Sequence, residues 1–311
     1  FGEDLTICAL PLYHIFALTC NSMVYFYFGA NNILITNPRD IPSFVRELKK
    51  YKFTFISGVN TLFNKLMDDP NFKDCNFSNL KISIAGGMTV QKSVGDLWQD
   101  ITGCTMVVGY GLSETAPAAS IDPINGKSFS NTIGLPLPST EMSIQDDFGK
   151  ILPPGQEGEI CIKGPQVMRG YWKNDEETKK VLTKDGWFKT GDIGVMRKDG
   201  FFKIVDRKKD MIIVSGFNVY PNEIEEVAMQ HHKVLEAGCV GIKNENGQET
   251  VKLFISVKEG KSLSIEEIMQ YCRQNLTAYK VPKTLEIVDE IPKSNVGKIL
   301  RRELREKVQN A

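Results

Sequence analysis

Four short stretches of the sequence carry residue types that handle nucleotides and phosphates. The string GYGLSET, Gly109 to Thr115, sets a tyrosine between two glycines and then a carboxylate among hydroxyls. Gly109 and Gly111 permit a tight turn after an apolar run. Tyr110 can stack on a flat heterocycle. Glu114, beside Ser113 and Thr115, suits Mg²⁺, which takes oxygen ligands and often shares them with phosphate. The same letters also spell an acidic helix start. In WFKTGD, Asp192 follows Gly191. A carboxylate there can accept from both hydroxyls of a ribose or cap a turn. Arg207 is a rigid donor fork suited to phosphate or ribose oxygens. Lys298, in SNVGKIL, can offset charge growing on a transferring phosphoryl group, or remain a solvated surface charge. It is not the lysine of a Walker loop, because Ile299 follows it where Ser or Thr is required.

The elements that must position these residues follow from periodicity. Up to about residue 130, short apolar strings alternate with helical patterns: FTFIS, KISIA and TMVV read as strands. Ile41, Phe44, Val45 and Leu48 mark one helix face, with Pro42 near its start. Val90, Val94, Leu97 and Trp98 mark another. Such alternation predicts a mostly parallel sheet covered on both sides, with ligands beyond the carboxyl ends of its strands. Two of those ends are the strings AGG, Ala85 to Gly87, and GYGLSET. Residues 131–208 change to short strands separated by Gly, Pro and Asp turns, including Asp185-Gly186 and Asp199-Gly200. They predict a small, largely antiparallel sheet or distorted barrel. From 209 to 311 the pattern is a compact α+β unit: MIIVSG as a strand ending in Gly216, a helix opened by Pro221, strands in GCVGI and VKLFISV, a helix around Ile268, and a last strand in TLEIVD. The charged run DRKKD lies at the join and reads as a hinge.

The bulk properties exclude several classes. Lys and Arg total 38 against 38 Asp and Glu, so there is no basic footprint for nucleic acid. The 7 cysteines are scattered without pairing or metal-ligand spacing, which suggests a reducing compartment and mostly buried thiols. His14, His231 and His232 are too few and badly placed for a zinc cluster. No G-x-G-x-x-G follows a strand, which excludes a dinucleotide-binding dehydrogenase. The apolar stretch from Ile15 to Ala30 carries Asn21 and Ser22 and is shorter than a membrane span of about 20 residues. It reads as a buried helix.

Several blocks, in this order, resemble one family: LPLYHIFAL, YGLSETAP, GEICIKGPQVMRGYW, GWFKTGDIG, VDRKKDMIIVSGFNVYPNEIE and YKVPKTLEIVDEIPKSNVGKILRREL. They resemble the adenylate-forming enzymes that activate carboxylic acids, and among these the bacterial long-chain-fatty-acid–CoA ligases, or acyl-CoA synthetases. The resemblance covers essentially the whole chain. It implies an α/β fold: part of a large N-terminal domain, with a mostly parallel sheet and a small antiparallel β subdomain, followed by a small mobile α+β C-terminal domain. It also implies a reaction in which fatty acid and Mg²⁺–ATP give an acyl-adenylate and pyrophosphate, and CoA then gives acyl-CoA and AMP.

Carried onto this chain, Gly86, Gly87 and Met88 resemble the strip along one side of adenine, with Tyr110 and Gly111 on the other. Thr115 resembles the phosphate-bonding residue and Glu114 the Mg²⁺ carboxylate. Asp192 and Arg207 resemble the ribose-binding pair, Lys209 the hinge, and Lys298 the lysine of the adenylation step. Gly216 and Phe217 resemble the loop that turns inward for thioester formation, and His14 with its apolar neighbours the acyl side of the pocket. Many relatives have glycine where this chain has Asp206, although fatty-acid members commonly share the difference. The family's Ser/Thr/Gly-rich phosphate loop lies upstream of LPLYH and is not in this sequence, so the expectation is a C-terminal portion that turns over little by itself and exposes an apolar patch. The expected partners are fatty acid, ATP and CoA, with a homodimer and peripheral contact with the cytoplasmic face of the inner membrane also open, in a cytoplasmic setting. The alternatives are a ligase for a short, branched or aromatic acid, one that loads a carrier protein, and a luciferase-like oxidative enzyme.

Overall fold

The computed structural model describes residues 2–126, 129–243, 247–294 and 298–309. They divide into two compact units, one of residues 1–190 and 194–204, the other of residues 191–193 and 205–311.

The first unit is built on a seven-stranded sheet of β1 (Leu5–Cys8), β2 (Asn31–Leu34), β3 (Phe55–Gly58), β4 (Ile82–Gly86), β5 (Met106–Tyr110), β6 (Ser120–Ile121) and β7 (Leu135–Pro136), in the order β2-β1-β3-β4-β5-β6-β7. The pairings from β2 through β5 are parallel and the last two antiparallel, as alternating strand and helix signals require. Four helices follow in this unit's first half: α1 (Val24–Tyr27), α2 (Ile41–Leu48), α3 (Asn60–Asp68) and α4 (Lys92–Thr102). Asp40 caps α2 by accepting from the Ser43 amide at 3.1 Å, and Phe44, Val45 and Leu48 are buried beneath it. Gly103, at φ 73°, ends α4 in the left-handed conformation. The buried face of α4 presents Trp98, whose Nε1 donates to Ser83 Oγ in β4 at 3.0 Å. A second sheet has the order β11-β10-β9-β8, from β8 (Glu141–Gln145), β9 (Glu157–Lys163), β10 (Phe188–Met196) and β11 (Phe202–Arg207), with α5 (Asp175–Val181) before β10. Gly186 and Gly200, both at positive φ, make the expected turns on either side of β10.

The apolar stretch from Ile15 is helical but not buried, which corrects the expectation. Wide π-type turns span Ala17–Met23 and lead into α1, yet only Ala17 and Asn21 of those turns are buried. Asn21 donates to the Ile7 carbonyl at 3.2 Å and accepts from Ser57 Oγ at 2.6 Å, fixing one face to β1 and β3. Phe26 and Tyr27, on the other faces, remain 84% and 79% exposed, although a helix apolar all round is ordinarily covered by a neighbour.

After residues 191–193 of β10 and 205–207 of β11, the second unit continues with the turn Lys208–Asp210 and the hairpin β12 (Ile212–Val214) and β13 (Phe217–Val219). The strand expected to end at Gly216 stops at Val214, and Ser215 and Gly216, at φ 51° and 85°, form the two-residue turn. Then come α6 (Pro221–Met229), β14 (Val234–Lys243), β15 (Glu249–Val257), α7 (Ile265–Asn275), β16 (Thr284–Ile287) and α8 (Arg301–Gln309). The sheet order is β14-β15-β16. Two buried clusters serve this unit. One joins Ile224, Ala228, Ile268 and Cys272 to Ala237, Cys239, Leu253 and Ile255, and the other joins Leu304 and Ile291 to Val240 and Phe254. Alternate residues of β14 and β15 thus fill opposite faces. All 7 cysteines are thiols outside any disulfide, and six are buried, as their scatter implied.

Candidate active site

In the first unit the site residues gather at the carboxyl ends of β4 and β5. The register sets Gly86 opposite Gly109. A Cβ on Gly86 would lie 3.0 Å from the Gly109 carbonyl oxygen and 3.3 Å from the Phe16 ring, so Gly86, at the start of the strip Gly86-Gly87-Met88, packs tightly against β5 and Phe16. His14 lies in the same segment as Phe16 and accepts from its amide through Nδ1 at 3.3 Å. Tyr110 is 9% exposed and packs with the core.

Beyond β5 the chain turns tightly. A Cβ on Gly111 would fall 1.7 Å from the Pro117 carbonyl oxygen, so no side chain fits there. Thr115 is fully buried; its Oγ1 accepts from the Leu112 amide at 2.9 Å and lies 3.1 and 3.0 Å from the Leu112 and Pro117 carbonyls. Its hydroxyl therefore braces the loop. Glu114 sits on the rim. Tyr171 donates its hydroxyl to Glu114 Oε1 at 2.9 Å, and the Met168 amide donates to the Glu114 carbonyl at 2.8 Å. Burial, then the Glu114 carboxylate, push the Tyr171 phenol up to about 12, so it stays a donor. Tyr171 takes one oxygen of Glu114 and leaves the other for a ligand.

No group of three or more His, Cys, Asp or Glu that could hold a metal occurs among the described residues. A lone carboxylate with one oxygen engaged does not make a protein cage for Mg²⁺. It does fit an ion held chiefly by phosphate oxygens and water, the usual Mg²⁺ arrangement beside a nucleotide.

The second unit holds the other cluster. Arg207 Nε donates to Asp192 Oδ1 at 3.2 Å. Loss of surrounding water, then the Arg207 guanidinium, push the Lys298 amine below the ordinary lysine value, while Asp192 pulls it up. The expected ribose pair and the expected adenylation lysine are thus electrostatic neighbours, 91 residues of sequence separating Arg207 from Lys298. Lys298 is exposed and sits where the chain returns to a short hairpin, its amide donating to Ser294 Oγ at 3.2 Å and its carbonyl accepting from the Ser294 amide at 2.8 Å. Lys209 lies in the turn Lys208–Asp210, and Gly216 in the β12–β13 turn. Phe217 is half-exposed and stacks on Tyr279 with centroids 4.7 Å apart.

Sequence reasoning missed Tyr171. The signal was present, since it stands in the GYW string quoted for the family resemblance, but nothing local ties it to a carboxylate 57 residues away.

A parallel sheet with glycines, an acid and an aromatic residue at adjacent strand ends, and a separate α+β unit carrying a paired Asp-Arg and a lysine, make an α/β chain whose candidate residues are of the types found in nucleotide sites. The AMP-binding enzyme family profile matches residues 1–172, and that of the AMP-binding enzyme C-terminal domain matches residues 223–298. The chain belongs to the AMP-binding enzyme family. It is 54% identical over 308 residues to a long-chain-fatty-acid–CoA ligase of Escherichia coli O6:H1, covering 99% of this chain and 54% of that protein. It is 38% identical to the long-chain-fatty-acid–CoA ligase of Bacillus subtilis over 98% of this chain and 54% of that one. Among solved structures it is similar to ATP-bound MatB from Rhodopseudomonas palustris, with a TM-score of 0.90, 29% identity, and coverage of 99% of this chain and 61% of that one. It is also similar to o-succinylbenzoate CoA synthetase from Bacillus subtilis in complex with an acyl-adenylate, with a TM-score of 0.85, 28% identity, and coverage of 98% and 61%. The chain spans about half the length of the curated relatives it matches. No helix among the described residues is long and apolar enough to cross a membrane.

Proposed function

We propose that this chain is part of an enzyme that joins a long-chain fatty acid to CoA through an acyl-adenylate. The observation that carries the reading is the cluster of Asp192, Arg207 and Lys298 in one unit, the residue types expected around a ribose and a transferring phosphoryl group. The likeness to long-chain-fatty-acid–CoA ligases over 98–99% of the chain supports the choice of acid.

In the first step a carboxylate oxygen of the fatty acid attacks the α-phosphorus of ATP, the bond to the leaving oxygen breaks, and pyrophosphate departs. Negative charge grows on the oxygens around that phosphorus, and the Lys298 ammonium offsets it. Asp192 accepts from the ribose hydroxyls, while Arg207 donates to ribose or phosphate and holds the Asp192 carboxylate in place. Glu114 would hold Mg²⁺ together with phosphate oxygens, and the ion would neutralise the departing pyrophosphate. In the second step the CoA sulfur attacks the acyl carbonyl, the bond to AMP breaks, and the thiol proton leaves to solvent. Turning about Lys209 would exchange Lys298 for the turn at Gly216 and Phe217.

The test is fatty-acid-dependent exchange of pyrophosphate into ATP by the full-length protein, followed by CoA thioester formation, across a panel of long, short, branched and aromatic acids. Exchange and thioester formation with long-chain acids support the reading. Turnover with short or aromatic acids alone, or transfer to a carrier-protein thiol in preference to CoA, would replace it.

A further inference from the structure

The proposal above has the Lys298 amine offset charge on a phosphoryl group, and such an amine loses much of its effect if it wanders. The two legs of its hairpin show how it is held. Lys293 and Ile299 form a bridge between the legs, and the Leu300 amide donates to the Pro292 carbonyl at 2.8 Å. Lys293 Nζ lies 2.6 and 2.7 Å from the two oxygens of Glu236 in β14, and both side chains are largely buried. On the returning leg Arg301 opens α8 with only 12% of its side chain exposed. Its Nε and Nη2 grip Glu225 of α6 at 3.1 and 2.7 Å, Nη2 also donates to Asn222 Oδ1 at 2.6 Å, and Nη1 reaches Asp210 Oδ2 at 3.3 Å and Asp206 Oδ1 at 3.7 Å.

Those partners are not scattered. Asp206 is the residue before Arg207, accepts from the Arg207 amide at 2.6 Å, and also accepts from the Asn222 amide at 2.7 Å. Asp210 ends the turn that contains Lys209, and Arg305 of α8 binds it at 2.7 Å. One guanidinium therefore ties the Lys298 hairpin to both flanks of the DRKKD segment and to α6.

We propose that Arg301 and Lys293 are positioning residues for Lys298, two staples that hold its hairpin on α6, β14 and Asp210 in the adenylating arrangement, with the Arg301–Asp206 contact across Lys209 opening when the chain turns there. Neither touches substrate. A lysine at 301 could not serve, because one ammonium lacks the planar fork that reaches three carboxylates at once. The proposal rests on the role given to Lys298, and its test separates the two.

The half-reactions of the full-length protein are measured for Arg301→Lys, Lys293→Met, the charge exchange Lys293→Glu with Glu236→Lys, and Lys298→Ala. A displacement of about 1 Å at a reacting group slows a step by about 100-fold. Arg301→Lys and Lys293→Met should lower adenylation by about that factor while thioester formation from supplied acyl-adenylate stays within about 3-fold of the parent. The charge exchange should restore most of the adenylation lost in Lys293→Met. Unchanged adenylation in both staple variants overturns the proposal, as does equal loss of both half-reactions, which would mean that the residues only support the fold. If Lys298→Ala itself adenylates normally, the role of that lysine fails instead.

Discussion

Asp206 is fully buried and should be replaced by asparagine. Burial pushes its carboxyl up to about 6, although Arg301 and the amides of Asn222 and Arg207 pull the other way. The unfolded carboxyl titrates near 3.9. Because the folded value is the higher one, the native state holds a proton that the unfolded chain has released between about pH 4 and 6. This residue's contribution is therefore fully present below about pH 4 and lost as pH rises through about 6. A shift of about two units corresponds to about 3 kcal/mol, and roughly 2 kcal/mol of it disappears between pH 4 and 7. Asparagine does not titrate. It also loses one of the two acceptor oxygens, a penalty that does not change with pH. Stability of the second unit is read by hydrogen exchange at the β14 and β15 amides along a urea series, for parent and variant at each pH. The asparagine variant should gain roughly 2 kcal/mol on the parent between pH 4 and 7. A constant difference across that range would refute the claim that burial dominates the charge of Arg301 at this carboxylate.

Removing the Tyr171 hydroxyl by Tyr171→Phe should weaken Mg²⁺-dependent nucleotide binding about 10-fold, as loss of groups that orient a metal ligand commonly does; calorimetric titration with and without Mg²⁺ checks it, and equal affinity would contradict it. Gly111→Ala forces a Cβ against the Pro117 carbonyl and should lower stability by about 1–3 kcal/mol in urea unfolding, whereas an unchanged midpoint would show that the loop relaxes. The Lys298 amine is pushed below the ordinary lysine value by lost hydration and Arg207, and it must be charged to act, so the alkaline limb of adenylation should fall below that value. Arg207→Met should move that limb upward in a pH–rate profile, and an unmoved limb would contradict the pairing.

The strand ends were legible because each ends in small residues after an apolar run: Gly86 and Gly109 stand level in the register, as the strings AGG and GYGLSET imply. Asp192 and Arg207 were each legible from residue type as possible ribose or phosphate contacts, and as a pair only through the family resemblance; a hydrogen bond joins them. The exposure of Phe26 and Tyr27 was not legible, because apolar composition states a preference for burial but not what is available to cover a surface. The two staples were hidden for a related reason. Arg301 reads as one more cation in the basic run around KILRRELR, and only folding brings Glu225, 76 residues away, against it. For Thr115 the residue type suggested a ligand donor, but its bonds to Leu112 and Pro117 were not legible, because only the turn of the folded loop brings those groups to its hydroxyl.

Replacing Lys298 with alanine in the full-length protein and timing the two half-reactions separately decides whether this amine serves adenylation. Pyrophosphate exchange should collapse while supplied acyl-adenylate still passes to CoA. Intact exchange with failed thioester formation would contradict it.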